Sequence, residues 1–335
     1  MKKFLILAVI LFSWAPPAAA QLPDFYREVR RVTWVVDDLD RTLAGWRKLG
    51  LFNIEEHGEV ELSESHYRGK PVFMRVRLAI GRFGDLRADW IQPLEGQNAY
   101  SDFLKEHGSG IFSLVHEVPS LQAMEAEQER LKQLGVDVLQ SSVVDAGGNT
   151  IRVVFYDTLA QGKYSLGLIH SSSTILEDPS RPTQAPFDLR LSQFAFVIRD
   201  PEPVSAYWKK LGFPELSITQ GSLRDRRYRG QAGQFGHKLG WQRHGKITYE
   251  WCIPLQGPTV YEDHLKAHGE SFHHLGLSVK DFDKVVEEWA RLGFPVSQSG
   301  AWGEEDKPGS GRFAYVDTDH IGGVTLELLW SYGAK

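Results

Sequence analysis

Hydrophobic and polar positions along this chain follow one phrase that returns four times. A short run of alternating apolar residues leads to a polar turn, with an aspartate in three of the four, then to an amphipathic segment ending in Leu-Gly. RVTWVVDDLDRTLAGWRKLGLF (31–52) and QFAFVIRDPEPVSAYWKKLGFP (193–214) are the clearest pair. Period-two alternation predicts a strand, and apolar residues three and four apart predict the helix that follows. Asp38 or Asp40 can cap the first helix, Asp200 before Pro201 can start the second, and the glycine of each Leu-Gly closes it. LGLSVKDFDKVVEEWARLGFP (275–295) carries the same pattern later in the second half.

A tighter repeat lies over this one. DWIQPLEG and YSDFLKEHGSGIFSL (89–96, 100–114) return as EWCIPLQG and YEDHLKAHGESFHHL (250–257, 261–275), so Asp89 matches Glu250 and Ser113 matches His274, 161 residues on. HYRG (66–69) matches RYRG (227–230), QERLKQLGVDV (128–138) matches EEWARLGFPV (287–296), and VVFYDT (153–158) matches FAYVDT (313–318). Such internal repetition governs the fold expectation. Two tandem domains follow, 27–170 and 190–332, each of two strand–helix–three-strand (βαβββ) units. The Ser-, Thr- and Pro-rich stretch between them (171–189) reads as a linker.

Composition changes this picture little. The chain has 335 residues, 42% hydrophobic and 24% charged, with net charge −5. That length suits two domains of ordinary size, and no basic concentration points to nucleic acid or an anionic membrane. Cys252 is the only cysteine, so no disulfide within the chain can stabilise it.

The first twenty residues read as a leader. Lys2 and Lys3 precede an apolar run from Phe4 to Trp14, and Ala18, Ala19 and Ala20 offer small residues for cleavage before Gln21. The apolar run is too short to span a bilayer. The mature chain is therefore expected to be exported, periplasmic or secreted, and not anchored in a membrane.

These repeats resemble the vicinal oxygen chelate superfamily, which includes glyoxalase I, methylmalonyl-CoA epimerase and extradiol dioxygenases. The resemblance rests on DWIQPL and EWCIPL, on HHLGLSVKDFD and on GGVTLELL (322–329). It implies an α+β fold in which two βαβββ units form a half-open barrel around one metal, with ligands from the first and last strand of each unit. Transferred position by position, it implies Gln193, Glu250, His274 and Glu327 as ligands in the second domain. That is the set of animal-type glyoxalase I. The matching residues of the first domain are Arg31, Asp89, Ser113 and Gly167, so its metal site is expected to be degenerate.

Strand alternation adds companions to each position. Ala195 and Val197 share the face of Gln193, Gly276 and Ser278 that of His274, Cys252 that of Glu250, and Thr325 and Leu329 that of Glu327. By the same rule His273 is expected to point away from the pocket. Glu250 and Glu327 stand among core residues, where a carboxylate is costly unless paired, protonated or bound to metal.

Tyr228, Arg229, Tyr315 and Trp302 are further candidates for a pocket wall, and GEEDKPGSG (303–311) reads as a lid or a solvated loop. His237, His244, His264, His268 and His320 are expected on surface turns or helices. KPGSG lacks the residues of a phosphate loop.

One nitrogen and three oxygen donors suit an open site for Zn²⁺, Ni²⁺, Co²⁺ or Mn²⁺. The leading expectation is a glyoxalase- or epimerase-like lyase or isomerase acting on a small molecule, with Glu327 and Glu250 moving the proton. Two other readings stay open. An extradiol-type dioxygenase would carry iron, but would place histidine where Gln193 stands. A non-enzymatic, resistance-type binding protein would have no use for the ligands. Because two domains are fused, a monomer would suffice.

Overall fold

A computed structural model describes residues 22–146, 149–172 and 186–333. The expected leader and most of the expected linker lie outside these residues. Among the described residues no helix is long and apolar enough to cross a membrane.

The first sheet contains β1 (Arg31–Val35), β2 (Asn53–Glu61), β3 (Ser63–Tyr67), β4 (Lys70–Pro71), β5 (Arg75–Phe83), β6 (Leu86–Glu95), β7 (Gly110–Glu117), β8 (Val138–Ala146), β9 (Asn149–Tyr156) and β10 (Ser165–Ser171). The second contains β11 (Arg190–Val197), β12 (Ser217–Thr219), β13 (Leu223–Tyr228), β14 (Gln231–Ala232), β15 (Gly236–His244), β16 (Ile247–Gln256), β17 (Ser271–Ser278), β18 (Val296–Trp302), β19 (Gly311–Val316) and β20 (Thr325–Ser331). Their orders are identical: β2-β5-β6-β1-β7-β10-β9-β8-β3-β4, and the same with ten added to each number.

This order forces curvature. β2 and β3 stand eight places apart in the sheet but are joined by Leu62 alone. Laid flat, eight strand spacings would separate them by about 38 Å, whereas one connecting residue reaches about 7 Å. The sheet therefore curls until its ends meet, giving two α+β half-barrels with deep concave faces.

Helices α1 (Leu39–Leu49), α2 (Ala99–His107), α3 (Leu121–Gln133), α4 (Leu159–Gly162), α5 (Pro201–Lys210), α6 (Val260–Ala267) and α7 (Phe282–Arg291) connect the strands. Asp38, not Asp40, caps α1 by accepting from the Arg41 amide, and Asp200 caps α5. Gly50 closes α1 at φ +73°, a conformation that glycine adopts without strain.

Apolar residues of both domains form one continuous core, in which Trp34, Trp46 and Trp90 share a cluster with Phe196, Trp208 and Trp251. Trp34 Nε1 donates to the Gly322 carbonyl (2.6 Å), and Trp208 Nε1 to the Gly162 carbonyl (3.1 Å). The concave faces carry two smaller, separate clusters, around Tyr100, Phe103, Phe112 and Phe155 in one domain and Val197, Cys252, Tyr261 and Tyr315 in the other.

Candidate metal centre

Four adjacent central strands of the second sheet, β16, β11, β17 and β20, bring one polar side chain each to the same concave spot. Ala195 pairs with both Glu250 and His274, and Gly276 pairs with both Gln193 and Glu327, so the register fixes the convergence. Gly276 is required for it. A Cβ there would lie 2.3 Å from Cγ of Gln193 and push the amide aside.

All four side chains are buried. Nε2 of Gln193 donates to Oε2 of Glu250 (2.6 Å) and to Oε2 of Glu327 (3.0 Å). Nε2 of His274 lies 3.1 Å from the same oxygen of each glutamate. Burial alone would lower the His274 pKa, but the Glu327 and Glu250 carboxylates outweigh it and raise it to about 9. Burial, then the neighbouring Glu327, raises Glu250 above the usual carboxylate range. Cys252, whose Sγ lies within 4.8 Å of donor atoms of Glu250 and His274, is buried and its thiol is pushed far up by burial.

A divalent cation fits this donor set. Two buried carboxylates converge on one imidazole nitrogen and one amide, an acid-rich donor set that a divalent cation would satisfy. His274 Nε2 lies 3.1 Å from one oxygen of each glutamate, close enough for all three groups to share one ion with bonds of about 2.1 Å. In an ion-bound state the Gln193 amide would turn its oxygen inward.

His273 departs from the alternation rule. β17 opposes Ala195 with His274 but Phe196 with Phe272, leaving His273 as the extra residue of a β-bulge. Its ring consequently turns inward, against Tyr261, Tyr315 and His264, and its Nδ1 meets Nδ1 of His274 at 2.8 Å. The first domain has a bulge at the matching place, where Phe112 sits in the apolar cluster.

Above the quartet opens a cavity of about 580 Å³. Tyr315 and Trp302 line it as expected, and Ser278 and Leu329 join them. Tyr228 and Arg229 do not. They bind Asp263 of α6 and tie the β13–β14 hairpin down (2.7 and 2.9 Å). Residues 303–309 form an exposed loop.

Two histidines expected at the surface are elsewhere. His264 is buried and bonded through Nε2 to Ser271 Oγ (2.9 Å). His237 lines the cavity with its Nδ1 buried and unpartnered, and burial depresses its pKa to about 4. Alternation along β15 would have found it, since His237, Leu239, Trp241 and Arg243 all face the cavity. His268 is half-buried against Asp319 (3.0 Å), and His320 is exposed.

In the first domain the matching spot holds an ion-pair network. Arg31 and Arg87 both bind Asp89 (2.8 and 3.1 Å), while Ser113 turns to the Leu114 carbonyl. Gly167 adds no side chain, so the metal quartet has no counterpart there.

The model of the glyoxalase/bleomycin resistance protein/dioxygenase superfamily matches residues 30–155 and 192–315, once in each domain. The chain belongs to this superfamily. Among solved structures, a variant of 4-hydroxymandelate synthase from Streptomyces coelicolor is similar over 92% of this chain and 93% of its own, with TM-score 0.60 and 15% identity. A fusion protein of a xylose isomerase-like TIM barrel and 4-hydroxyphenylpyruvate dioxygenase matches 96% of this chain and 50% of its own, with TM-score 0.51 and 14% identity. A Mn(II)-bound glyoxalase from Novosphingobium aromaticivorans matches 91% of this chain and 82% of its own, at TM-score 0.46 and 15% identity. At such identities the superfamily shares a fold, and its chemistries differ. No curated protein sequence gives a match.

Proposed function

We propose that the protein is a metal-dependent lyase or isomerase of the glyoxalase or epimerase kind, moving a proton on a small substrate chelated through two adjacent oxygens. The observation that carries this reading is the pair of buried carboxylates, Glu250 and Glu327, held 3.1 Å from one histidine nitrogen beneath an open cavity. Gln193, Glu250, His274 and Glu327 would hold the ion. A divalent ion bound there polarises adjacent substrate oxygens and stabilises negative charge developing on them.

The chain's own groups supply the rest. Glu250, shifted toward the protonated form by burial and by Glu327, suits a group that takes up and returns a proton. Glu327 lies as close to His274 as Glu250 does and is the second candidate for moving the proton. Trp241, Trp302 and Phe313 offer an apolar wall, and neutral His237 offers a donor or acceptor to the substrate's remaining polar group. A ligand set of one histidine and two glutamates favours proton transfer over the two-histidine, one-carboxylate iron set of oxygenases.

Metal analysis of the purified protein tests this. One divalent ion per chain is expected, lost in His274→Ala and Glu327→Ala, together with metal-dependent exchange of a substrate C–H proton in D₂O. No bound ion under metal-replete conditions would refute it. Iron accompanied by oxygen uptake on catechols would replace it with a ring-cleaving dioxygenase.

A further inference from the structure

We propose that the first domain is a separate binding site for an amphipathic organic anion, with Arg31 pairing the ligand's carboxylate. A cavity of about 480 Å³ fills its concave face, within the usual ~300–1,000 Å³ of small-molecule pockets. Its walls are apolar, formed by Leu78, Ile80, Ile91, Ile151, Val153 and Phe155. Its floor holds Arg31, Arg87 and Asp89, with side chains 6%, 12% and 14% exposed.

The floor does not balance its charge. Two guanidinium groups share one carboxylate, through Arg31 Nη1 to Asp89 Oδ2 (2.8 Å) and Arg87 Nε to Asp89 Oδ1 (3.1 Å). Burial would raise the Asp89 pKa, yet the two arginines hold it below the usual range, so the carboxylate stays charged and one positive charge remains over. Burial also pulls Arg87 down to about 10, against the opposing pull of Asp89. Nε of Arg31 is buried with no partner. A buried guanidinium with open donors is costly in a protein and is satisfied by a planar oxyanion. The rim adds Arg82 together with the exposed Glu55 and Asp145, so the surplus of positive charge is confined to the buried floor.

The two domains thereby become complementary in sign. At the position of Gln193 stands Arg31, and at that of Thr248 stands Arg87. Where the floor of the second pocket gathers two carboxylates around one histidine and would hold a cation, the floor of the first sets two arginines around one aspartate and takes an anion directly. Its apolar walls select an anion with a hydrophobic body.

The test is calorimetric titration of the full chain, stripped of metal by chelator, with 2-naphthoate and with its uncharged counterpart 2-naphthamide. Naphthoate is expected to bind one per chain, at least tenfold tighter than the amide. Arg31→Gln should weaken naphthoate at least tenfold and erase the preference, Arg31→Lys should retain part of it, and His274→Ala should leave it unchanged. Equal affinity for acid and amide, absence of saturation, preference kept in Arg31→Gln, or its loss in His274→Ala would each overturn the proposal. The acid-to-amide ratio in the unmodified chain decides the matter even if a variant fails to fold.

Discussion

His107 and His268 exchange hydrogen bonds across the domain boundary. Nδ1 of His107 meets the carbonyl oxygen of His268 at 2.7 Å, and Nδ1 of His268 meets that of His107 at 2.6 Å. The two lie 161 residues apart, the spacing of the repeat itself, so equivalent residues contact each other as they do across the two-fold axis of a dimer.

The chain thus carries its dimer interface internally and is expected to be monomeric by light scattering. Replacing either histidine by leucine leaves its partner's carbonyl unmet and should cost about 1–3 kcal/mol in urea unfolding. A stable dimer, or unchanged stability, would contradict the role of this contact.

His268 also pairs with Asp319 (3.0 Å). Burial alone would lower the histidine's pKa, but Asp319 raises it; burial would raise Asp319, but His268 lowers it. The stabilisation from the histidine is complete below its unfolded value near 6.5 and fades as pH rises through its raised folded value. That from the aspartate is present above about 4 and fades as pH falls. Asp319→Asn should therefore lower the melting temperature at pH 6 and change it little at pH 9.5. An equal loss at both would exclude the ion pair as the cause.

His273→Phe imports the residue that the first domain places in the same bulge, so far-ultraviolet circular dichroism should stay unchanged. The partner of His274 Nδ1 disappears, however. Loss of such a support behind a metal-bound histidine typically costs 10–100-fold in affinity, measurable by competition with a chelating dye. Unaltered affinity would show that His273 does not orient His274.

Gly276→Ala alters no metal-site residue itself, yet its methyl group would occupy the space of Gln193 Cγ and crowd the amide. Metal affinity should fall as in Gln193→Ala, and the double variant should lose no more than either alone. Additive losses would mean that the glycine acts elsewhere.

Much of this was readable in the sequence. The quartet was legible because each member lies at a strand position that the repeat itself aligns, 161 residues on for Glu250 and His274. His273 was not, because a bulge inserts a residue without any mark in composition. His264 was misjudged although its repeat partner Phe103, an apolar residue in an otherwise matching helix (FLKEH against HLKAH), signals a buried position. The charge imbalance in the first pocket is harder to read, because Arg87 lies two residues before the aligned ligand position, on the same face of β6.

The hairpin of β3 and β4 docks not on its own unit but on β8, with Ser63 opposite Val143 and Tyr67 opposite Gln140. During synthesis, its docking edge therefore does not exist until about eighty residues more have been made. Closure of the half-barrel is consequently a late event, since pairing so distant in sequence must wait for the loop between to be organised. A ribosome stalled before β8 would hold a nascent chain whose first pocket lacks both the clasp and the wall that Ile151, Val153 and Phe155 supply.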